Sequence, residues 1–236
     1  MITLALDTAT PAPSLAILRD GATVAARVLD PSQGAGRRVA EEIHRMLTDA
    51  GVGVRDLDEI VVGVGPGGFT GLRIGIATAL GLGQALDIPV RGVASIEALA
   101  LGIVAQAPAG AIVVPVIDAK RQEVFAAAYR GDGDGGLETV VEPHATSAAG
   151  LGERLAEIAM PAEQMYLAGD GVHRCSDLLN AALVALPQDS HAHQVSAVAL
   201  AQRARTGGAR PVSPLYLRLP DAEVNRLRRV REATRA

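Results

Sequence analysis

The chain has 236 residues, 49% of them hydrophobic and 20% charged, a balance that excludes a disordered polypeptide and supplies core for one large domain or two lobes. Aromatic residues make up only 2% (Phe69, Phe125, Tyr129, Tyr166, Tyr216), too few for a base-stacking platform or an aromatic sugar cleft. The single cysteine, Cys175, forms neither an internal disulfide nor a multi-thiolate metal site and fits a reducing compartment. The net charge of −4 hides an asymmetry: from Arg203 onward nine arginines face three carboxylates, net +6, which leaves the first 202 residues at −10. The basic end reads either as an electrostatic foot for RNA phosphate or an acidic protein surface, or as a solvated terminal helix. A charged leader is missing ahead of the first strand, and the longest apolar run, residues 74–83, is about half a membrane span, so a cytoplasmic protein with no membrane contact is expected.

In chain order, residues 2–5 read as a buried strand ending in the polar turn Asp7-Thr8-Ala9-Thr10-Pro11. Residues 14–18 and 23–29 form a hairpin about Asp20-Gly21, a favoured two-residue turn. Val39, Ile43, Met46, Leu47 and Ala50 then recur at helical spacing, with Gly51 as a C-terminal cap. A β-branched run over residues 60–64 leads into Gly65-Pro66-Gly67-Gly68 and a helical pattern to about Leu86. Strand 90–93, helix 95–104 and strand 111–117 continue an alternation that predicts an α/β fold with helices packed on a mostly parallel sheet. The pattern then restarts. Residues 112–117, the turn at Asp118 and residues 123–129 echo the opening meander, which predicts a degenerate duplication with a lobe boundary near residues 105–111. Further on come a helix over 151–158, a strand over 165–168 ending in Gly169-Asp170-Gly171, and helices over 177–185 and 196–205.

Glycines at 65, 67 and 68 permit close backbone approach just before a helix N-terminus, so the turn is either an anion cradle or purely structural. It is neither a Walker loop nor a dinucleotide fingerprint, because both the closing Gly-Lys-Ser/Thr and the glycine spacing are wrong. Gly71, Gly75, Ala79 and Gly83 form a small-residue stripe on the following helix. Each helical glycine costs about 0.8–1 kcal/mol relative to alanine, so the stripe calls for a close neighbour, in the same lobe or in another molecule. The opposite face, with Leu72, Ile76 and Leu80, also needs cover. Asp7, Asp118 and Asp170 end predicted strands, where carboxylates either act on ligands and metals or cap turns. No two of the five histidines stand at i, i+4 and no Gly-x-Ser-x-Gly occurs, so a peptidase lacks both its metal clamp and its nucleophile elbow.

The segment Gly63-Val64-Gly65-Pro66-Gly67-Gly68-Phe69-Thr70-Gly71-Leu72-Arg73-Ile74-Gly75 closely resembles the signature of the bacterial TsaB (YeaZ) family. Residues 2–9, 90–95, 118–125, 169–171 and 214–218 resemble the same family in order and spacing, while Gly34-Ala35-Gly36-Arg37 departs from its usual entry into the first helix. The resemblance implies an actin-like ATPase (ASKHA) fold of two lobes, each with a mixed sheet flanked by helices: residues 1–107, and a smaller lobe over 108–236 with a basic terminal helix. It implies a role in making N6-threonylcarbamoyladenosine on tRNAs that read codons starting with A, as a non-catalytic scaffold and activator that binds the TsaD transferase and, with it, the TsaE ATPase. TsaD carries a metal-binding His-x-x-x-His where this chain reads Ser95-Ile96-Glu97-Ala98-Leu99.

Carried onto this sequence, the family's partner contact falls on Val39, Ile43, Met46, Leu47, Leu72, Ile76 and Ala79. A vestigial nucleotide or anion site falls on Asp7, Thr8, Gly65, Gly67, Gly68, Asp118, Gly169 and Gly171, and tRNA contact through the complex on Arg226, Arg228, Arg229 and Arg231. No cofactor is expected on this chain alone, ATP and magnesium being used by the partner subunits, and a homodimer is expected in isolation. The rival reading is an active ATP-dependent phosphotransferase on the same fold, with Asp7 and Asp118 near magnesium and the Gly65 turn on phosphate.

Overall fold

A computed structural model describes residues 1–33, 38–133, 135–160 and 163–218. The arginines at 226, 228, 229 and 231, the expected terminal helix and the entry into the first helix at 34–37 lie outside the described residues. The first half is built from β1 (Ile2–Asp7), β2 (Ser14–Arg19), β3 (Ala22–Val28), α1 (Val39–Asp49), β4 (Glu59–Gly63), α2 (Phe69–Leu86) and β5 (Val90–Val93). Helix α3 (Ser95–Val104) leads to β6 (Ile112–Lys120), β7 (Glu123–Gly131), β8 (Leu137–Ser147), α4 (Ala148–Ile158), β9 (Met165–Ala168), β10 (Leu183–Ala185) and α5 (Ala197–Arg203).

The first sheet has strand order β3-β2-β1-β4-β5 and the second β10-β9-β6-β7-β8, the same order read from the other edge. In each, an antiparallel meander is extended by two parallel strands. The repeat legible in the opening residues of each half is therefore a repeat of topology. Between β2 and β3 the Asp20-Gly21 turn has φ of 52° and 86°, the left-handed pair that matches strand twist in a two-residue hairpin.

Alternation along the strands sends side chains to both faces of each sheet. Leu4, Leu6, Leu15, Ile17, Ile60 and Val62 meet α1 and α2 on the outer face of the first sheet. Ala5, Ala16, Leu18 and Val61 face inward, to a core formed by α3 and α5 and shared with Val113, Phe125, Ala127 and Tyr129 of the second sheet. Helix α4 and a 3-10 helix, Val172–Leu178, cover the far face of the second sheet. The result is five layers, helix, sheet, helix, sheet, helix: the two-lobed actin-like ATPase architecture. The central layer is exchanged between the halves, since α5 packs on β1, β2 and β4 while α3 packs on β6 and β7.

Two expectations fail locally. The segment 177–185 is not one helix: Asp177 and Leu178 end the 3-10 helix, Leu183–Ala185 is a short edge strand paired with Met165–Leu167, and a three-residue apolar run carries no periodicity to distinguish it. The 11-residue β8 has no counterpart among the sequence-predicted elements; its Pro143 falls where the β7–β8 register shifts, so no ladder bond is lost.

The glycine stripe of α2 finds its neighbour within the lobe. A Cβ on Gly71 would run into the carbonyl oxygen of Thr8, one on Gly75 into Thr8 Oγ1, and one on Gly83 into Val90. Thr8 Oγ1 donates to the Gly71 carbonyl at 2.7 Å. By contrast, nothing lies within 4 Å of a Cβ at Gly81. Urea unfolding should therefore separate two chemically identical changes: Gly71→Ala lowers stability by about 1–3 kcal/mol through overpacking, whereas Gly81→Ala raises it by about 0.5–1 kcal/mol.

Candidate functional site: the interlobe cleft and the outer face of α2

A cleft of about 570 Å³ opens between the lobes. The β1–β2 turn (Thr8, Thr10), the glycine turn (Gly67, Gly68), the β6–β7 hairpin (Asp118, Lys120) and Asp170 line it. Chain returning from α5 closes one side with Leu215, Tyr216, Leu217 and Arg218. Of the expected anion-site residues, Thr8, Gly67, Gly68 and Asp118 meet here, whereas Asp7, Gly65, Gly169 and Gly171 lie behind the lining.

Asp7 is sealed beneath the surface. Its Oδ2 accepts from Ser95 Oγ at 2.5 Å and its Oδ1 from the Ala9 amide at 2.9 Å. Ser95 Oγ in turn accepts from the Gly65 amide at 3.1 Å, and the Ser95 amide donates to the Gly65 carbonyl at 2.7 Å. Gly63 leaves the room, because a Cβ there would occupy the place of the Asp7 carboxylate. Burial raises the Asp7 pKa and its two hydrogen bonds lower it, with a net rise to about 6. Gly169 and Gly171 are backing elements: the Gly171 amide donates to Val116 at 3.0 Å, and the loop returns Asp170 to accept from the Asp118 amide at 3.0 Å.

Of the charged side chains of the cleft, Asp118, Lys120 and Arg218 are paired within the chain, while Asp170 accepts from the Asp118 amide and burial raises its pKa. Burial alone would raise the Asp118 pKa, but Arg174 Nε at 2.6 Å and Lys120 Nζ at 2.8 Å hold it well below the usual carboxylate range. Arg218 bonds Glu123 at 2.8 Å. The magnesium nucleotide that the fold implies does not fit these residues: Asp7 offers no oxygen to the cleft, Asp118 is held by two cations, and Ile74, Ile117, Phe125, Leu215 and Leu217 make much of the wall apolar. Among the described residues no group of three His, Cys, Asp or Glu side chains could hold a metal ion. Cys175 is buried, and burial pushes its thiol up.

The expected partner contact needs correction. Val39, Ile43, Met46, Leu47, Leu72, Ile76 and Ala79 are all buried, because helical periodicity marks the face that a helix sets against its own sheet. The outward face of α1 carries Glu41, His44, Arg45 and Thr48, and that of α2 carries Arg73, Ala77, Leu80, Gly81 and Gln84. Leu80 is 44% exposed. Of the expected apolar face Leu72, Ile76 and Leu80, only Leu80 is outward; the other outward residues were legible only as the complement of the apolar pattern, and α2, apolar nearly all round, has almost no such complement.

Among known proteins, the family model for TsaD, tRNA N6-adenosine threonylcarbamoyltransferase, matches residues 32–203. A Bacillus subtilis protein described as tRNA threonylcarbamoyladenosine biosynthesis protein TsaB is 30% identical over 227 residues, 94% of this chain and 96% of the relative. An uncharacterised protein of Mycobacterium tuberculosis is 37% identical over 227 residues, 93% of each chain. The solved structure of YeaZ from Pseudomonas aeruginosa matches with a TM-score of 0.72 at 26% identity, covering 92% of this chain and 99% of that one.

The Asp7 geometry sets a pH dependence. A carboxyl whose pKa is raised on folding contributes stability that is complete below its unfolded value and is lost as pH rises through its folded value, about 6. Asp7→Asn cannot ionise. In urea unfolding at a series of pH values, Asp7→Asn should match the parent near pH 3.5 and exceed it above pH 7 by up to about 3 kcal/mol; a constant gap across that range would refute the burial argument.

Proposed function

The chain belongs to the TsaB (YeaZ) family, and we propose that it serves as the non-catalytic partner of a TsaD-type transferase in making N6-threonylcarbamoyladenosine on tRNAs that read codons starting with A. The reading is carried by the outward stripe of α2. Leu80 lies exposed on it between small residues, on a helix whose inner residues Leu72, Gly75, Ile76, Ala79 and Gly83 are already buried within the chain. An apolar stripe of that shape suits the packing of another protein's helix.

The burial of Asp7 and the pairing of Asp118 with Arg174 and Lys120 support a subunit that binds no nucleotide by itself, with ATP and magnesium used by the partner subunits. In this reading TsaE and tRNA join through the assembled complex, the isolated chain pairs with itself through the same stripe, and the work is done in the cytoplasm. An ATP-dependent phosphotransferase would need Asp7 and Asp118 available to magnesium, and both are engaged inside the chain.

Leu80→Glu should leave the thermal midpoint of the isolated chain unchanged and abolish its co-purification with TsaD. Ile43→Glu and Ile76→Glu should instead lower the midpoint, because each places a charge in the lobe core. Full co-purification of the Leu80→Glu chain would overturn the docking face. Titration of Mg-ATP into the chain alone should give no binding heat, whereas micromolar binding with turnover would favour the phosphotransferase.

A further inference from the structure

Arg73 lies one turn into α2, at the head of the outward stripe that continues through Ala77, Leu80 and Gln84. Its guanidinium carbon sits 3.8 Å from the centre of the Phe69 ring. The Phe69 ring stacks on Tyr216 with centroids 5.2 Å apart, and Arg73 Nε donates to the Tyr216 hydroxyl at 3.2 Å. Tyr216 is brought there by the returning chain, which pairs Arg210 with Gly92 and donates the Leu215 amide to Val64 at 2.7 Å. The guanidinium plane is thus fixed, while its remaining N–H donors stay exposed at the rim. Arg27, Arg45, Arg91, Arg174 and Arg203 all pair with carboxylates; no carboxylate of the described residues pairs with Arg73. A cation held on an aromatic bed loses little freedom when it binds, and Arg and Tyr are the side chains that most often dominate interface energies.

The geometry points to Arg73 as the charged anchor of the α2 docking face, receiving an Asp or Glu carboxylate from the docked protein. The inference rests on the reading of α2 as that face and names the chemistry its partner must present. A protein carboxylate is favoured over a nucleic-acid phosphate for two reasons. The stripe adjoining Arg73 is small and apolar, suited to side-chain packing, and the chain as a whole carries a net charge of −4, which does not favour a polyanion.

The test is the affinity of the full chain for purified TsaD at several salt concentrations, with Arg73→Ala, Arg73→Lys, Tyr216→Phe and Leu80→Glu compared with the parent. Arg73→Ala should weaken binding at least tenfold and flatten its salt dependence. Arg73→Lys, which keeps the charge but loses the planar fork, should recover only part of the loss. Tyr216→Phe, which keeps the ring stack but releases the guanidinium, should weaken binding a few-fold. Parent-like affinity of Arg73→Ala alongside loss of binding by Leu80→Glu would overturn the anchor and leave the docking face standing. Parent-like affinity of both would overturn the docking face and the anchor with it. Loss of tRNA binding by the Arg73→Ala chain alone, with TsaD affinity unchanged, would reassign the cation to phosphate and equally overturn the proposal.

Discussion

At the C-terminal end of β1 the Asp7 carboxylate is buried with no counter-charge, satisfied only by the Ser95 hydroxyl and the Ala9 amide, while Ser95 in turn accepts from the Gly65 amide. Those bonds give β1, the first turn of α3 and the turn that launches α2 a single set of relative positions. A buried carboxylate is costly unless its acceptors stay filled, so the arrangement tolerates little drift. The seating of α2 follows from it. The helix leaves the Gly65 turn so close to the β1–β2 turn that Gly71 and Gly75 face Thr8 without room for a side chain. The Asp7 carboxylate is thus an internal brace between β1, α3 and the turn before α2.

That close seating also decides which part of α2 reaches solvent. With the small residues turned to the sheet, the larger Leu80 and the Arg73 cation are left on the outside. Gly71 and Gly75 let the head of α2 approach the β1–β2 turn, while Leu72, Ile76 and Ala79 are buried on its inner side and Ala77 and Leu80 remain outward. Dense inner packing and an apolar outer stripe are two results of one sequence choice.

What could be read from residues alone follows the range of the interactions involved. The meander, the Asp20-Gly21 turn, α1 and the glycine turn before α2 are local, and turn chemistry or periodicity marks each of them. The site is not local. Asp7 was placed correctly at a strand end, yet the direction of its carboxylate depends on Ser95, 88 positions later. Asp118 depends on Arg174, 56 positions away, and Arg73 on Tyr216, 143 positions away. Periodicity picked out Val39, Ile43, Leu72 and Ile76 correctly as an apolar face but could not say whether sheet or partner covers it; the sheet does.

The exchange of α3 and α5 between the halves bears on what the molecule can do. Catalysis by lobe closure needs a hinge that yields. Here the crossing lies in the common core, and Glu97 of α3 is held by Arg203 of α5 at 2.7 Å and by Arg210 at 2.5 Å. Arg210 also pairs with Gly92 at the edge of the first sheet and begins the segment that delivers Tyr216 to Arg73. A rotation of one lobe against the other would therefore strain a nearly buried ion-pair cluster and pull on the head of α2 at once. Such coupling fixes the angle at which the outward face of α2 is set relative to the second lobe.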